Sequence, residues 1–413
     1  MAFFTGCFRE PRWLALWAAM LGFLLDAMDV LLYVFALQTL RAEFGLSNAQ
    51  AGLVASVTLI ASAAGGIVAG WASDRIGRRR TLIYTILAYS LASGGTATAG
   101  GLWELVFWRA LVGIGLGGEW SAGATLVSEF WPPEHRAKAI GFMQSGWALG
   151  YIAAAGLSAL ILPRWGWRVL FLIGVLPALL TLVVRRKVQE PPVWLEHRQA
   201  RPPLTALFRG AIGRLTFLAT TLTTAVLFAY WGLFTWLPGF LSAPRDAGGA
   251  GLTIVRTGGF VIAMQLGAFA GYLCFGWLAD RWGRRPAFAL YVLGAALVTP
   301  LYGTAPGWGG EAVLLAMGPL VGFLGTGFFA LFGAMLAEIY PTEIRGAGQG
   351  FTYNFGRGLS ALAPYAVGAI ADRSGLGTAL ALNAAFFLAG AVLVFTLPET
   401  KSTDLRRVAP ESA

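Results

Sequence analysis

The stretch Gly70-Trp71-Ala72-Ser73-Asp74-Arg75-Ile76-Gly77-Arg78-Arg79-Arg80 returns later as Gly276-Trp277-Leu278-Ala279-Asp280-Arg281-Trp282-Gly283-Arg284-Arg285. The two copies lie about 206 residues apart, half the chain, which is the mark of an internal duplication. Each copy closes one long apolar run and precedes the next. A basic cluster in that position is a loop left outside the bilayer, because an arginine at bilayer depth costs about 2.5–3.5 kcal/mol on insertion scales. A second pair keeps nearly the same spacing. Glu129-Phe130-Trp131-Pro132-Pro133-Glu134-His135-Arg136 is echoed by Glu338-Ile339-Tyr340-Pro341-Thr342-Glu343-Ile344-Arg345.

Composition agrees with a membrane protein. Of 413 residues, 57% are hydrophobic and 12% charged, where a soluble domain carries about 25% charged residues. The 55 glycines suit helices packed closely in lipid, and the 16 tryptophans suit interfacial belts. The net charge of +10 does not indicate nucleic acid as a partner, since the basic residues sit in loops between apolar runs. Cys7 and Cys274 have neither metal nor redox spacing, and His135 and His197 both fall in loops, so no metal, cofactor or intramembrane catalytic set is expected. Arg9 and Arg12 precede an apolar run too long for a signal-peptide core, which is read as a retained first helix.

A span needs roughly 20 apolar residues. Twelve such runs are read, at about 14–39, 49–72, 81–101, 103–128, 138–162, 167–185, 215–241, 255–279, 287–304, 311–337, 347–371 and 376–397. The fold class is thus an all-α membrane protein of twelve transmembrane helices in two pseudo-symmetric six-helix bundles. The first bundle covers 1–185, a linker 186–214, and the second bundle with a short tail 215–413. Most of the 30 lysines and arginines fall on one side of this arrangement. Only Arg41, Arg164, Arg168, Arg245, Arg256 and Arg373 are placed on the other, and Arg109 and Arg357 lie within spans. Both termini and the linker are therefore expected in the cytoplasm of a cell whose plasma (inner) membrane holds the chain.

The doubled Gly-x-x-x-Asp-Arg-x-Gly-Arg-Arg loop, the Glu-x-x-Pro-x-x-x-Arg echo and the series Arg109-Ala110-Leu111-Val112-Gly113-Ile114-Gly115-Leu116-Gly117-Gly118 resemble the major facilitator superfamily. The resemblance covers nearly the whole chain. It implies two bundles around a central cavity, working by alternating access. Asp26-Ala27-Met28-Asp29 in span 1 and Gly117-Gly118-Glu119-Trp120 in span 4 are similar to its proton-linked organic-acid branches, which include sialate, lactate, aromatic-acid and nicotinate symporters. Aromatic-acid members usually have Asp-Gly-x-Asp, where this chain has Ala27. Asn354-Phe355-Gly356-Arg357-Gly358 resembles the arginine-bearing span 11 of eukaryotic organic-anion transporters.

Four intramembrane charges carry the functional expectation, since an ionisable residue at that depth is a functional hypothesis by default. Asp26 and Asp29, three residues apart, share one helix face about 20–24 Å along span 1. Glu119 lies near mid-bilayer in span 4. With Arg109 they form the expected proton-coupling set, or, read structurally, interhelical ties. Ten residues separate Arg109 from Glu119, a rotation of about 1000° that leaves them about 80° apart. Arg109 is therefore expected to pair with an acid of span 1, Asp29 first, rather than with Glu119. Arg357 has no obvious acid nearby in the second half. It is expected to hold a substrate carboxylate, or else to reach an acid of span 1 or 4. Tyr353, Asn354, Gln144, Trp147, Tyr33 and Gln265 are expected to line the same site, although each also suits an ordinary interhelical contact.

The loops read as a cytoplasmic gate made of Asp74, Arg75, Arg78, Glu129, Arg136, Asp280, Arg281, Glu338 and Arg345. Asp74 and Asp280 end spans 2 and 8, where each carboxylate can face the positive end of span 11 or span 5 of the opposite bundle. The expected function is proton-coupled uptake of a small organic anion, a monocarboxylate being the first choice, by a chain that works as a monomer in the lipid bilayer. Alternatives are efflux by proton antiport, uptake of a neutral or cationic solute, and a transporter-like nutrient sensor. The last would need a larger cytoplasmic tail than the short stretch after span 12.

Overall fold

In a computed structural model, residues 10–46, 48–179, 187–196, 203–245 and 248–405 are described. They are almost entirely helical. In the first half, α1 is Pro11–Phe44, α2 Asn48–Ile76, α3 Arg78–Thr96 and α4 Leu102–Phe130. One long element, Arg136–Ile173, holds two of the expected spans, because Gly166 with φ 74 breaks its helical path. We call residues 136–165 α5 and the continuation from 167 α6. In the second half, α7 is Gly210–Ser242, α8 Ile254–Trp282, α9 Arg284–Trp308 and α12 Leu376–Leu393. The tenth span is divided into α10a, Gly310–Gly327, and α10b, Ala330–Ile339. The eleventh is divided into α11a, Arg345–Ser360, and α11b, Ala363–Ser374. The second break precedes Pro364, which cannot donate a backbone hydrogen bond and restrains the residue before it.

Nine helical stretches of the described residues are long and apolar enough to cross a membrane; one of these, 136–179, covers α5 and α6. The two that fall short, α3 and α11, are the polar spans, and they carry Ser90, Ser93, Asn354 and Arg357. Expected span ends differ from observed ends by a few residues, since loop-side polar residues extend the helices. The expected bundle boundary at 185/186 falls outside the described residues.

Helices in lipid cannot be driven together by burying apolar surface from water, so they depend on close contact at small residues. Two such seams organise each half. In the first half, α2 packs on α4 and α1 on α5; in the second half, α8 packs on α10a and α9 on α12. At the α2–α4 seam, a Cβ on Gly117 would collide with the Ser62 carbonyl. Two further seams, α2 with α11a and α5 with α8, join the halves. There a Cβ on Gly350 would lie 2.9 Å from Gly70 Cα, and one on Gly276 would lie 2.8 Å from Lys138 Cα. At the end opposite the arginine loops, Glu43 at the tail of α1 accepts bonds from Trp167 Nε1 at 2.5 Å and Arg168 at 2.7 Å. These donors hold its carboxyl below the usual range.

Gly117→Leu is expected to destabilise the protein by about 1–3 kcal/mol or more through overpacking. Gly156→Leu, where nothing lies within 4 Å of the added carbon, is expected to be near neutral. Thermal unfolding of both variants in detergent checks the contrast; equal stability would contradict the seam.

Candidate functional site

The α1 acids divide into a paired and an unpaired one. Asp29 is fully buried. Its Oδ1 accepts the Ser93 hydroxyl of α3, and its Oδ2 faces Arg109 of α4 at 3.3 Å. The Arg109 guanidinium also lies 5.2 Å from the Tyr33 ring. Tyr33 therefore belongs to this ion-pair cluster, where the sequence reading had it lining the substrate site. Asp26, one turn nearer the arginine-loop end, is also buried, and its Oδ1 has no hydrogen-bond partner among the described residues. Glu119 is fully buried with neither carboxyl oxygen partnered. It fits against Gly22 of α1, where a side chain would collide with Oε1. Arg109 thus meets Asp29 and not Glu119.

A second line of residues starts at Arg357 on α11a. Its Nη1 donates to the Ser62 hydroxyl of α2, and its guanidinium lies 5.2 Å from the Tyr353 ring. Its Nε has no partner, and none of the ion pairs among the described residues involves it. Tyr353 stacks on Trp120 of α4, centroids 3.8 Å apart, and Trp120 Nε1 donates to Gln144 Oε1 of α5 at 3.0 Å. Arg357, Tyr353, Trp120 and Gln144 therefore make one chain from α11a across α4 to α5. Trp147 is half-buried beside Phe23, at 5.4 Å, and Gln265 is buried on α8.

Asn354 departs from its expected role. It is fully buried in the α2–α11a seam, against Gly66, and its amide nitrogen donates to Ser121 Oγ at 3.1 Å and Gly350 O at 2.9 Å. Its place is a tie between the halves; a solute would reach it only through a parted seam.

At the arginine-loop end, two ionic clusters mirror each other. Asp74 accepts the backbone N–H of Gly346 at 2.9 Å and of Ala347 at 2.7 Å, the open N-terminus of α11a. Asp280 accepts those of Ala137 at 3.1 Å and Lys138 at 3.0 Å, at the start of α5. Such an end carries free N–H groups and partial positive charge, so it favours a carboxylate. Arg78 pairs with Asp74 at 2.8 Å and with Glu129 at 2.9 Å, and Arg345 reaches Glu129 from the other half at 2.7 Å. Arg284 pairs with Asp280 and Glu338, both at 2.7 Å, while Arg136 crosses to Glu338 at 2.8 Å.

Two gate residues move out of this network. Arg75 and Arg281 stack on Trp71 and Trp277 of their own helices, at 4.4 and 5.5 Å. The inward position after each glycine belongs to Arg78 and Arg284. Arg284 was missed as a gate residue, although it stands about 206 residues after Arg78, the repeat offset itself. Glu190 and Glu399 were also missed. Glu190 accepts from Arg79 N at 3.2 Å, and Glu399 from Arg284 N at 2.8 Å and Arg285 N at 3.1 Å, so each caps the helix after the loop. Burial pushes the Glu190 carboxyl above its usual range, against the lowering pull of the Arg79 backbone N–H and the Arg78 charge. The chain beyond α12 joins in, its Thr403 and Leu405 carbonyls accepting from Arg136 at 3.1 Å and Arg345 at 3.2 Å.

Residues 19–264 and 247–412 match the Major Facilitator Superfamily. The chain belongs to this superfamily. It is 35% identical over 405 residues, 96% of this chain and 93% of the relative, to a Cupriavidus pinatubonensis protein described as a probable 4-methylmuconolactone transporter. It is 30% identical over 394 residues, 92% of this chain and 93% of the relative, to the cis,cis-muconate transport protein of Acinetobacter baylyi. Among solved structures, the proton:xylose symporter XylE matches with a TM-score of 0.80 over 96% of this chain and 98% of that one, at 19% identity; this likeness is one of fold. The chain is therefore a multi-pass membrane transporter of the major facilitator fold and not an enzyme.

Within this facilitator, Asp29→Asn leaves Arg109 buried without its counter-charge. Breaking such a pair costs about 3–5 kcal/mol, and thermal unfolding should show the loss. Asp29→Asn with Arg109→Gln should recover much of it; a double variant as unstable as the single one would show that the pair is not the source.

Proposed function

We propose that this transporter imports a small organic anion together with one or more protons, by alternating access, across a plasma (inner) membrane with both termini in the cytoplasm. The observation that carries the reading is a half-buried Arg357 without an ion-pair partner among the described residues, in a bundle where two buried acids, Asp26 and Glu119, retain unpartnered oxygens. An arginine is charged at any physiological pH and presents a planar fork that matches a carboxylate. A substrate carboxylate docked there supplies the missing counter-charge. The relatives described as transporting muconate and methylmuconolactone support a carboxylic acid as the class.

The proton has a place in the same region. An ionised Glu119 buried without a donor would be an uncompensated charge in low dielectric, whereas the neutral acid is tolerated. In this reading Asp26, with an unpartnered oxygen of its own, shares the buried charge balance with Glu119 and Arg357, so proton occupancy and anion occupancy act on one another. A monovalent anion entering with one proton moves no net charge, and the pH gradient alone drives it; a dicarboxylate such as muconate needs two protons to do the same. With further protons the membrane potential adds about 2.3 kcal/mol per charge per 100 mV. Tyr353, Gln144, Trp147 and Gln265 flank the path in this reading, with Trp120 placed between two of them.

The ionic clusters are the gate on the cytoplasmic side. They hold residues 1–185 against 215–413 when that side is shut, and they part when it opens. The protein acts as a monomer in the bilayer, since both halves of the path come from one chain.

Uptake into proteoliposomes with an imposed pH gradient, across muconate and other small carboxylic acids, tests the proposal. Arg357→Ala and Arg357→Lys should each lower uptake at least tenfold, the lysine because it cannot reproduce the fork. Glu119→Gln should abolish accumulation driven by the gradient while exchange of internal for external substrate continues. Full uptake by either Arg357 variant would place the anion elsewhere. Accumulation by Glu119→Gln at the wild-type level would remove Glu119 from coupling.

A further inference from the structure

Helix α11a of the second half runs antiparallel to α4 of the first, and three contacts fix their register. Arg345 pairs with Glu129 at 2.7 Å, Tyr353 stacks on Trp120 with centroids 3.8 Å apart, and Asn354 donates to Ser121 at 3.1 Å. Gln349 stands one turn from Arg345 and one from Tyr353, about 6 Å along the axis from each, and so shares their face. The register sets it level with Ala124 and Thr125 of α4. Alanine offers no polar side-chain atom, and Thr125 Oγ1 already donates to the Ser121 carbonyl at 2.8 Å.

Gln349 is fully buried, and neither its amide oxygen nor its amide nitrogen has a partner among the described residues. Other polar side chains of α11a are engaged: Thr352 meets the Tyr340 hydroxyl at 2.7 Å, and Arg357 donates to Ser62. Buried polar atoms are as a rule hydrogen-bonded, at a frequency of about 90% or more. An amide left without partners costs the arrangement that buries it, and water removes that cost once the amide is exposed. The contacts on either side of Gln349, the ion pair and the ring stack, both join the two halves. So does the bond from Ser128 of α4 to the Gly333 carbonyl of α10b, at 2.9 Å. The unpaired amide thus lies inside the closed seam, between the ionic cluster and Arg357, which is about 12 Å further along α11a.

We propose that Gln349 lines the path by which solute passes between Arg357 and the cytoplasm, and that it favours the opening of that path. This rests on the alternating-access reading above. When the cytoplasmic side is shut, the amide is dry and unpaired between two closed levels. When the halves part, water hydrates it, and its N–H groups can donate to a carboxylate moving away from Arg357. The ionic clusters hold that side shut, and Gln349 acts against them.

The test is the labelling of Ala124→Cys, in protein whose Cys7 and Cys274 are replaced by serine, by a membrane-impermeant maleimide at the cytoplasmic face of inside-out vesicles. Ala124 is fully buried, so a thiol there reacts when that side opens. Gln349→Met keeps the bulk and removes the amide. It should lower the labelling rate at least fivefold, the factor that corresponds to about 1 kcal/mol. Glu129→Gln, which breaks the ion pair, should raise the rate. An equal or faster rate with Gln349→Met overturns the role of Gln349 and leaves the gate reading standing. No labelling even with Glu129→Gln overturns both. Should Gln349→Met fail to fold, Gln349→Leu decides by the same rates.

Discussion

A charge inside a bilayer has to be balanced, and this structure is arranged around how each charge meets that demand. Asp29 and Arg109 balance one another, with Ser93 taking the other carboxyl oxygen. Arg357, Asp26 and Glu119 do not close into such a pair. The first arrangement holds α1 to α4. The second leaves one cation and two acids able to answer to a solute and a proton. The tie and the proposed transport site are thus built from the same residue types, and they differ in whether the pairing is complete inside the protein.

At the arginine-loop end, balance is reached between the halves. Glu129 and Glu338 each take an arginine from their own half and one from the other, and Asp74 and Asp280 each take the N-terminus of a helix opposite. The bonds from Arg345 to Glu129, from Arg136 to Glu338 and from the two helix ends to Asp74 and Asp280 all need both halves in contact. Parting the halves exposes the carboxylates and helix ends to water, which solvates them in turn. Exchange of protein partners for water keeps the net cost of parting small, which suits these clusters to the gate role proposed for them. The chain after α12 adds backbone carbonyls to the same clusters and thereby ties the tail to them.

The fold was legible because it rests on long-range regularities of the chain. Apolar runs of membrane length and a motif repeated in each half mark spans and symmetry without any knowledge of contacts. Of the site, helical rotation turned Arg109 away from Glu119 and toward an acid of span 1, with Asp29 as the first choice among these. Asn354 and Tyr33 did not follow, because spacing fixes a residue's bearing on its own helix and says nothing of what stands opposite. Gly66 admits Asn354 to the seam, and Arg109 draws Tyr33 to itself. Arg284 was within reach of the repeat offset, whereas Glu190 and Glu399 act on backbone N–H groups, which leave no trace in a pattern of side chains.

The central claim is that anion and proton share one balance of charge. It is tested most directly by measuring proton uptake when the purified transporter, in weakly buffered solution with a pH indicator, binds a carboxylic acid that it transports. The account predicts that binding draws protons from the medium in wild type and that Glu119→Gln reduces this uptake. Saturable anion binding with no proton taken up by the wild-type protein would contradict it.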